Sequence, residues 1–294
     1  MLSAQPTMTP PAAVRRPWRR KDLAASIRGF GGARPAVQLA ARAAMVQAQE
    51  AALLLSVAAM APVRLFRNDS ASEESAAAQA KADAAPMPPV LLVHGFGGAK
   101  SSWSLVAQAL SARGVTVDAM GYAPVGNSVE QLADKLVVEV ERTLSRTGAD
   151  KVHLVGHSLG GVIIAQAILD ARLTGRVDTV ITLGSPFGGS PWATALPLVD
   201  IVRALRRGSP LLRRLASTPL PDGVRWLSVT AALDVVVPGL RSVPFHPQVE
   251  TITIDGIGHI GMLLSQRVLE CIAAALCAPE NVAAVPAMRQ LRSA

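Results

Sequence analysis

One stretch of the chain combines a nucleophile with the backbone such a nucleophile needs. Gly156-His157-Ser158-Leu159-Gly160 follows an apolar run that reads as a strand and opens a run that reads as a helix, with a further glycine at Gly161. In a G-x-S-x-G between strand and helix, the serine sits strained on a tight turn with its oxygen exposed. The residues two before and two after it must lack bulk. Ser158 is therefore the candidate nucleophile for acyl transfer. That chemistry also needs two N–H groups aimed where an oxyanion develops. One belongs to Leu159, the residue after the nucleophile. The other falls in His94-Gly95-Phe96-Gly97-Gly98, directly after the first apolar run, with Phe96 as the donor. The glycines of this loop, Gly95 among them, let the backbone approach a substrate closely. His94 precedes the serine and is read as orienting the oxyanion loop rather than as a base.

A base and an acid are then expected after Ser158, in the order serine, acid, histidine. Only His246 and His259 follow the serine. His246 lies in a proline-bounded loop before the last strand. His259 lies in Gly256-Ile257-Gly258-His259-Ile260-Gly261, after that strand, at the sheet edge where the other pieces gather. His259 is the favoured base. Asp234, just past the preceding strand, is the candidate acid, and Asp255 is its rival.

The elements that must position these groups begin at Pro89. Strands are expected at Val90–Val93, Val115–Ala119, Val152–Val155, Val177–Leu183, Arg225–Val229 and Glu250–Ile254. Helices are expected at Trp103–Arg113, Val129–Thr147, Gly160–Leu173 and His259–Cys277. Apolar strands alternating with helices imply a mostly parallel sheet of six or more strands, covered by helices on both faces.

The rest of the chain constrains function by exclusion. Half of the 294 residues are apolar and only 3 % are aromatic. The net charge of +8 is mainly N-terminal: residues 1–67 hold ten basic and two acidic groups, and residues 90–279 hold 16 and 14. No basic face with stacking aromatics or known nucleic-acid module is visible, so nucleic acid is not an expected partner. Two cysteines, Cys271 and Cys277, exclude a disulfide scaffold. Six residues of helix rise about 9 Å, too far for a disulfide between them. Both are expected to be free, mostly buried thiols. No zinc-ligand spacing or P-loop occurs, and neither metal nor cofactor is expected. Residues 1–35 read as a flexible basic N-terminus, 36–67 as a weakly amphipathic helix, 68–88 as a linker, 89–279 as the main domain and 280–294 as a tail. The helix after the Arg15–Lys21 cluster is read as packing on the main domain; a membrane-surface or partner-binding helix, in peripheral contact with an anionic membrane, is the second reading, and a cleaved signal peptide the third. Cytoplasmic, membrane-associated and secreted locations all stay open. Between about 186 and 221 a cap is expected, with Leu196, Val199, Ile201, Val202, Leu205, Leu211, Leu212 and Leu215 interleaved with arginines. It is either a cap with a solvated basic face or a lid that meets an anionic lipid surface.

The stretches PVLLVHGFGG, TGADKVHLVGHSLGG, VITLGSPFGGS, LDVVVP and GHIGML resemble the α/β-hydrolases, and within them bacterial class 2-type lipases and esterases and their PGAP1-like relatives. The resemblance covers about residues 89–279. It implies Ser158 as nucleophile, Asp234 as acid, His259 as base, and Phe96 and Leu159 as oxyanion donors. It implies a lipase or esterase acting on esters of apolar acyl chains, small-molecule or lipid. An acyltransferase or thioesterase would carry the same triad, and a binding protein on this fold is the third reading. Such lipases often carry T-P-H-x-G after the fourth strand; here the residues are Ser185-Pro186-Phe187-Gly188-Gly189.

Overall fold

Six apolar segments form one all-parallel sheet in a computed structural model that describes residues 44–48, 87–195 and 200–277. The strands are β1 (Val90–Val93), β2 (Val117–Met120), β3 (Val152–His157), β4 (Val177–Leu183), β5 (Arg225–Ala231) and β6 (Glu250–Ile254). Their order is β2-β1-β3-β4-β5-β6. Burial follows this order. β1 and β3 are buried along their whole length, whereas the edge strands β2 and β6 are largely half-buried or exposed. Parallel strands covered on both faces need apolar residues at successive positions, which is how β1 and β3 read.

Helices cover the two faces. Leu91 and Val93 of β1 join a core with α2 (Val129–Thr147) and α3 (Leu159–Ala167). Val90 and Leu92 face the opposite core, with Val106 and Leu110 of α1 (Ser104–Ser111) and Val268 and Ile272 of the C-terminal helix (Gln266–Cys277). Helix α2 has the expected bounds because both ends are written locally. Ser128 Oγ accepts from Gln131 N–H, Gln131 Oε1 accepts from Ser128 N–H at 2.8 Å, and Gly148 closes the helix at φ 70°.

Six elements differ from expectation: β3 runs on to His157 and β5 to Ala231, each two residues past the expected end, α1 spans Ser104–Ser111 rather than Trp103–Arg113, and three more differ as follows. The second strand starts at Val117 rather than Val115, because Val115 N–H still donates to Leu110 O at 3.2 Å and closes α1. The helix after Ser158 ends at Ala167; Asp170 accepts from Arg172 N–H and starts a separate 3-10 turn at Ala171–Leu173. The last helix starts at Gln266, not His259, because tertiary bonds hold His259 in a loop and a 3-10 turn occupies Gly261–Leu263.

The cap holds α4 (Trp192–Ala195), α5 (Asp200–Ala204) and α6 (Pro210–Ser217) before β5; the C-terminal helix is hereafter α7. Ser209 caps α6 by accepting from Leu212 N–H, and Pro210 fills its first turn. Ile201, Val202, Leu205, Leu211, Leu212 and Leu215 are all buried in the α2–α3 core. Arg213 and Arg214 are exposed, and Arg214 bonds Glu130 and Gln166 at 2.8 Å each. The cap's apolar side is thus spent on the domain, with arginines outward. Leu196 and Val199 lie outside the described residues, as do the basic N-terminus (1–35), nearly all of the linker and the tail. Of the expected 36–67 helix, residues 44–48 are described and are helical. Cys271 is buried, but Cys277, at the end of α7, is exposed, contrary to expectation. No helix among the described residues is long and apolar enough to cross a membrane.

Candidate active site

The sheet order places a topological switch point between β1 and β3. From β1 the chain passes outward to β2, then crosses back to β3 on the other side. Such switch points at the carboxyl ends of parallel strands are where open α/β sheets bind ligands. Ser158 lies at this edge, between β3 and α3, with φ 52° and ψ −120°. It is the one non-glycine residue at positive φ among the described residues. That conformation is costly for an L-residue and persists only where surroundings impose it. They do so here. Ser158 N–H donates to Leu183 O at 2.9 Å, pinning the turn to β4. A Cβ on Gly156 would lie 2.6 Å from Gly161 N, and one on Gly160 would enter Val93 O. The glycines are what let α3 start against β1.

The loop expected to hold an oxyanion is a turn in which Gly98 N–H donates to Gly95 O at 3.1 Å and Gly97 takes φ 72°. Phe96, at the second position of this turn, is half-buried. Gly95 sits against Ser158: a Cβ there would lie 3.0 Å from Ser158 Cβ. His94 braces the turn. Its Nδ1–H donates to Gly95 O at 2.8 Å, and its ring stacks on Tyr122 at 4.1 Å. Tyr122 O–H in turn donates to His94 O at 2.6 Å, and burial pushes this phenol's pKa up. Leu159 is buried as the first residue of α3, where helical N–H groups lack an intrahelical acceptor.

Asp234 and His259 meet. His259 Nδ1–H donates to Asp234 Oδ2 at 2.8 Å, with the side chains 3 % and 1 % exposed respectively. Asp234 Oδ1 accepts from Val236 N–H at 2.8 Å and Val237 N–H at 2.7 Å. The two loops are joined by backbone bonds as well, Ala232 N–H to Ile254 O at 3.0 Å and Leu233 N–H to Ile257 O at 3.1 Å. Asp255 is exposed, and its carbonyl accepts from Arg267. His246 bonds Leu215 O at 3.0 Å beneath α6, in an apolar pocket with Phe187 and Trp226.

Three residues with no assigned part in the sequence reading lie at this centre. Gly184, at φ 56°, faces the pair: a Cβ there would lie 3.1 Å from Asp234 Oδ2 and 3.2 Å from His259 Nδ1, and would enter Met262. Met262 is buried beside it. His157 donates from Nε2–H to His259 O at 3.0 Å. The sequence signals were present, a glycine ending β4 and the variable position of G-x-S-x-G, but neither has meaning until the fold joins the loops. No group of three His, Cys, Asp or Glu side chains among the described residues is placed to hold a metal ion.

The family described as the alpha/beta hydrolase fold matches residues 88–215. The domain has the α/β-hydrolase fold. Among solved structures, this α/β-hydrolase domain is similar to Bacillus licheniformis lipase BlEst2 in its mature form, with a TM-score of 0.57 at 18 % identity over 65 % of this chain and 91 % of that one. It is also similar to Aspergillus fumigatus lipase B, at TM-score 0.55, 15 % identity, 65 % of this chain and 52 % of that one. At such identities the likeness is one of fold. A triacylglycerol lipase of Burkholderia plantarii is 32 % identical over 127 residues, 40 % of this chain and 35 % of the relative. A dihydrolipoyllysine-residue acetyltransferase component of an acetoin cleaving system, from Cupriavidus necator, is 38 % identical over 103 residues, 34 % of this chain and 26 % of the relative. The match thus spans about a quarter to a third of these curated relatives.

Proposed function

We propose that this chain is a serine hydrolase that cleaves carboxylic esters of apolar acyl chains through an acyl-enzyme. The observation that carries the reading is the buried Asp234–His259 bond at the same sheet edge as a serine held at positive φ. Ser158 Oγ attacks the ester carbonyl while His259 Nε2 takes its proton. The oxyanion accepts from Phe96 and Leu159 N–H. Asp234, fixed by two backbone N–H groups, holds the Nδ1–H tautomer and stabilises the imidazolium. His259 then protonates the leaving alcohol, and the C–O bond to it breaks. Water, deprotonated by His259, attacks the acyl-enzyme; collapse releases the acid, and the proton returns to Ser158. The triacylglycerol lipase relatives support the ester class.

A fluorophosphonate probe tests the nucleophile. It is expected to label the wild-type chain and not Ser158→Ala; labelling of the variant at the wild-type rate overturns the reading. p-Nitrophenyl esters from C2 to C16 give the chain-length preference. The acetyltransferase relative favours acyl transfer as a second reading. It predicts that an added thiol or alcohol diverts the acyl group from water without slowing p-nitrophenol release. The basic N-terminal cluster is read as a peripheral contact with anionic membrane. Co-sedimentation with anionic vesicles that falls with salt is its expected signature, and indifference to such vesicles at low salt removes it.

A further inference from the structure

His157 occupies the variable position of the nucleophile motif, yet its side chain reaches both other parts of the site. On one side its Nε2–H donates to the backbone carbonyl of His259 at 3.0 Å. The two imidazole rings lie 4.7 Å apart, tilted by 48°. On the other side Nδ1 borders the oxyanion turn: a Cβ on Gly95 would lie 3.1 Å from it. The ring is buried. Burial, with His259 and His94 nearby, pushes its pKa down to about 3, against the pull of the His259 carbonyl. The ring is therefore neutral at ordinary pH, in the one tautomer that donates from Nε2.

The base needs such a hold. His259 stands between Gly258 and Gly261, in a loop that Gly256 enters at φ 73°. Local backbone preference does little to fix a residue in glycine-rich surroundings. Asp234 holds the imidazole by its side chain, and a single hydrogen bond leaves the ring a hinge. A second bond, to the main chain of the same residue, fixes where the backbone that carries the ring sits.

We propose that His157 is a positioning residue for His259, tying the base and the oxyanion turn at one spacing around Ser158. The inference rests on the Ser158–Asp234–His259 reading. It differs from a space-filling role because it depends on the Nε2–H donor rather than on ring volume. A shift of the base by about 1 Å is enough to cost roughly 10²-fold in rate.

The test compares His157→Phe, which keeps volume and loses the donor, with His157→Gln, whose amide N–H reaches the same carbonyl. All are made in the full chain and checked by circular dichroism. Phe is expected to lower kcat and the fluorophosphonate labelling rate about 10- to 100-fold with KM nearly unchanged, and Gln to restore both to within a few-fold of wild type. Phe at wild-type kcat, or Gln falling as far as Phe, overturns the role. Should Phe not fold, the wild-type chain decides by ¹⁵N-histidine NMR. A His157 ring fixed as the Nε2–H tautomer from pH 5 to 8, its proton protected from exchange, supports the role; a ring that titrates in that range overturns it. Ser158→Ala runs alongside. If its labelling is lost while His157→Phe behaves as wild type, only the positioning role fails. If Ser158→Ala still labels, the triad fails and the positioning role with it.

Discussion

Replacing Asp234 by Asn changes one atom and, by the geometry of this carboxylate, reverses one hydrogen bond. Oδ1 accepts from two backbone N–H groups at 2.8 and 2.7 Å, and Oδ2 accepts from His259 Nδ1–H at 2.8 Å. An asparagine has two ways to lie there. With its amide nitrogen at the Oδ1 position, two backbone donors, that of Val237 buried and that of Val236 part-buried, face a third donor and lose their acceptor. Each buried donor left unsatisfied costs about 1–3 kcal/mol. The side chain therefore turns its oxygen to Val236 and Val237 and its NH₂ to His259. An N–H aimed at Nδ1 requires that nitrogen to be bare, so the imidazole proton moves to Nε2, the nitrogen that must be free to take the serine proton. That orientation holds the imidazole in the wrong tautomer, and kcat is expected to fall by about 10²–10⁴. KM changes little, because no substrate contact is removed. Ester hydrolysis by Asp234→Asn, with folding checked by circular dichroism, measures it, and the exposed Asp255→Asn is the control, expected within about twofold of wild type. An Asp234→Asn enzyme at the wild-type rate, or a larger loss from Asp255→Asn with both folded, refutes the reasoning.

Gly184→Ala places a methyl at positive φ against Asp234, His259 and Met262; it is expected to cost about 1–2 kcal/mol in backbone strain alone and to lower kcat more than tenfold, whereas a fully active variant would show that the pair tolerates displacement. His153, buried in β3, has its pKa pushed down to about 4 by burial, with Asp178 opposing and Arg225 assisting. The unfolded chain takes up that proton first, so the stability this ring contributes is complete above about pH 6.5 and drains away towards about pH 4. Urea midpoints of His153→Leu should fall less steeply than those of wild type between pH 7.5 and 5, and parallel curves would remove the ring from the account. Burial raises the Cys271 thiol pKa to about 11, while Cys277 is exposed. A thiol reagent followed by peptide mapping should modify Cys277 in the native protein and Cys271 only after unfolding; equal rates would contradict the burial of Cys271.

What could be read in advance follows how locally each feature is encoded. The bounds of α2 are written in Ser128, Gln131 and Gly148, within a few residues of where they act. The start of α7 is not, because a bond from His157, 102 residues away, holds His259 out of a helix that periodicity alone would extend. The same distinction divides the site. Ser158 and His259 could be named as candidates because chemistry restricts the residue types and only two histidines follow the serine, and Asp234 because it follows the strand before the histidine strand, where the resemblance also puts an acid. Gly184 and Met262 could not, since a glycine after a strand is punctuation until the fold sets a carboxylate beside it. The burial of the cap's leucines was one of two readings the sequence left open, because an apolar helix face reads alike whether it meets a core or a lipid.

The sheet order also divides the candidate site along the chain. Everything that holds Ser158 in its strained turn, from Gly95 and Val93 to Leu183, lies before residue 190, whereas Asp234 and His259 hang from the last two strands. Those strands join the sheet in sequence at one margin, β5 on β4 and then β6 on β5. A chain cut between the cap and Asp234 would keep Ser158 and the residues around its turn but lose both side chains proposed to act with it.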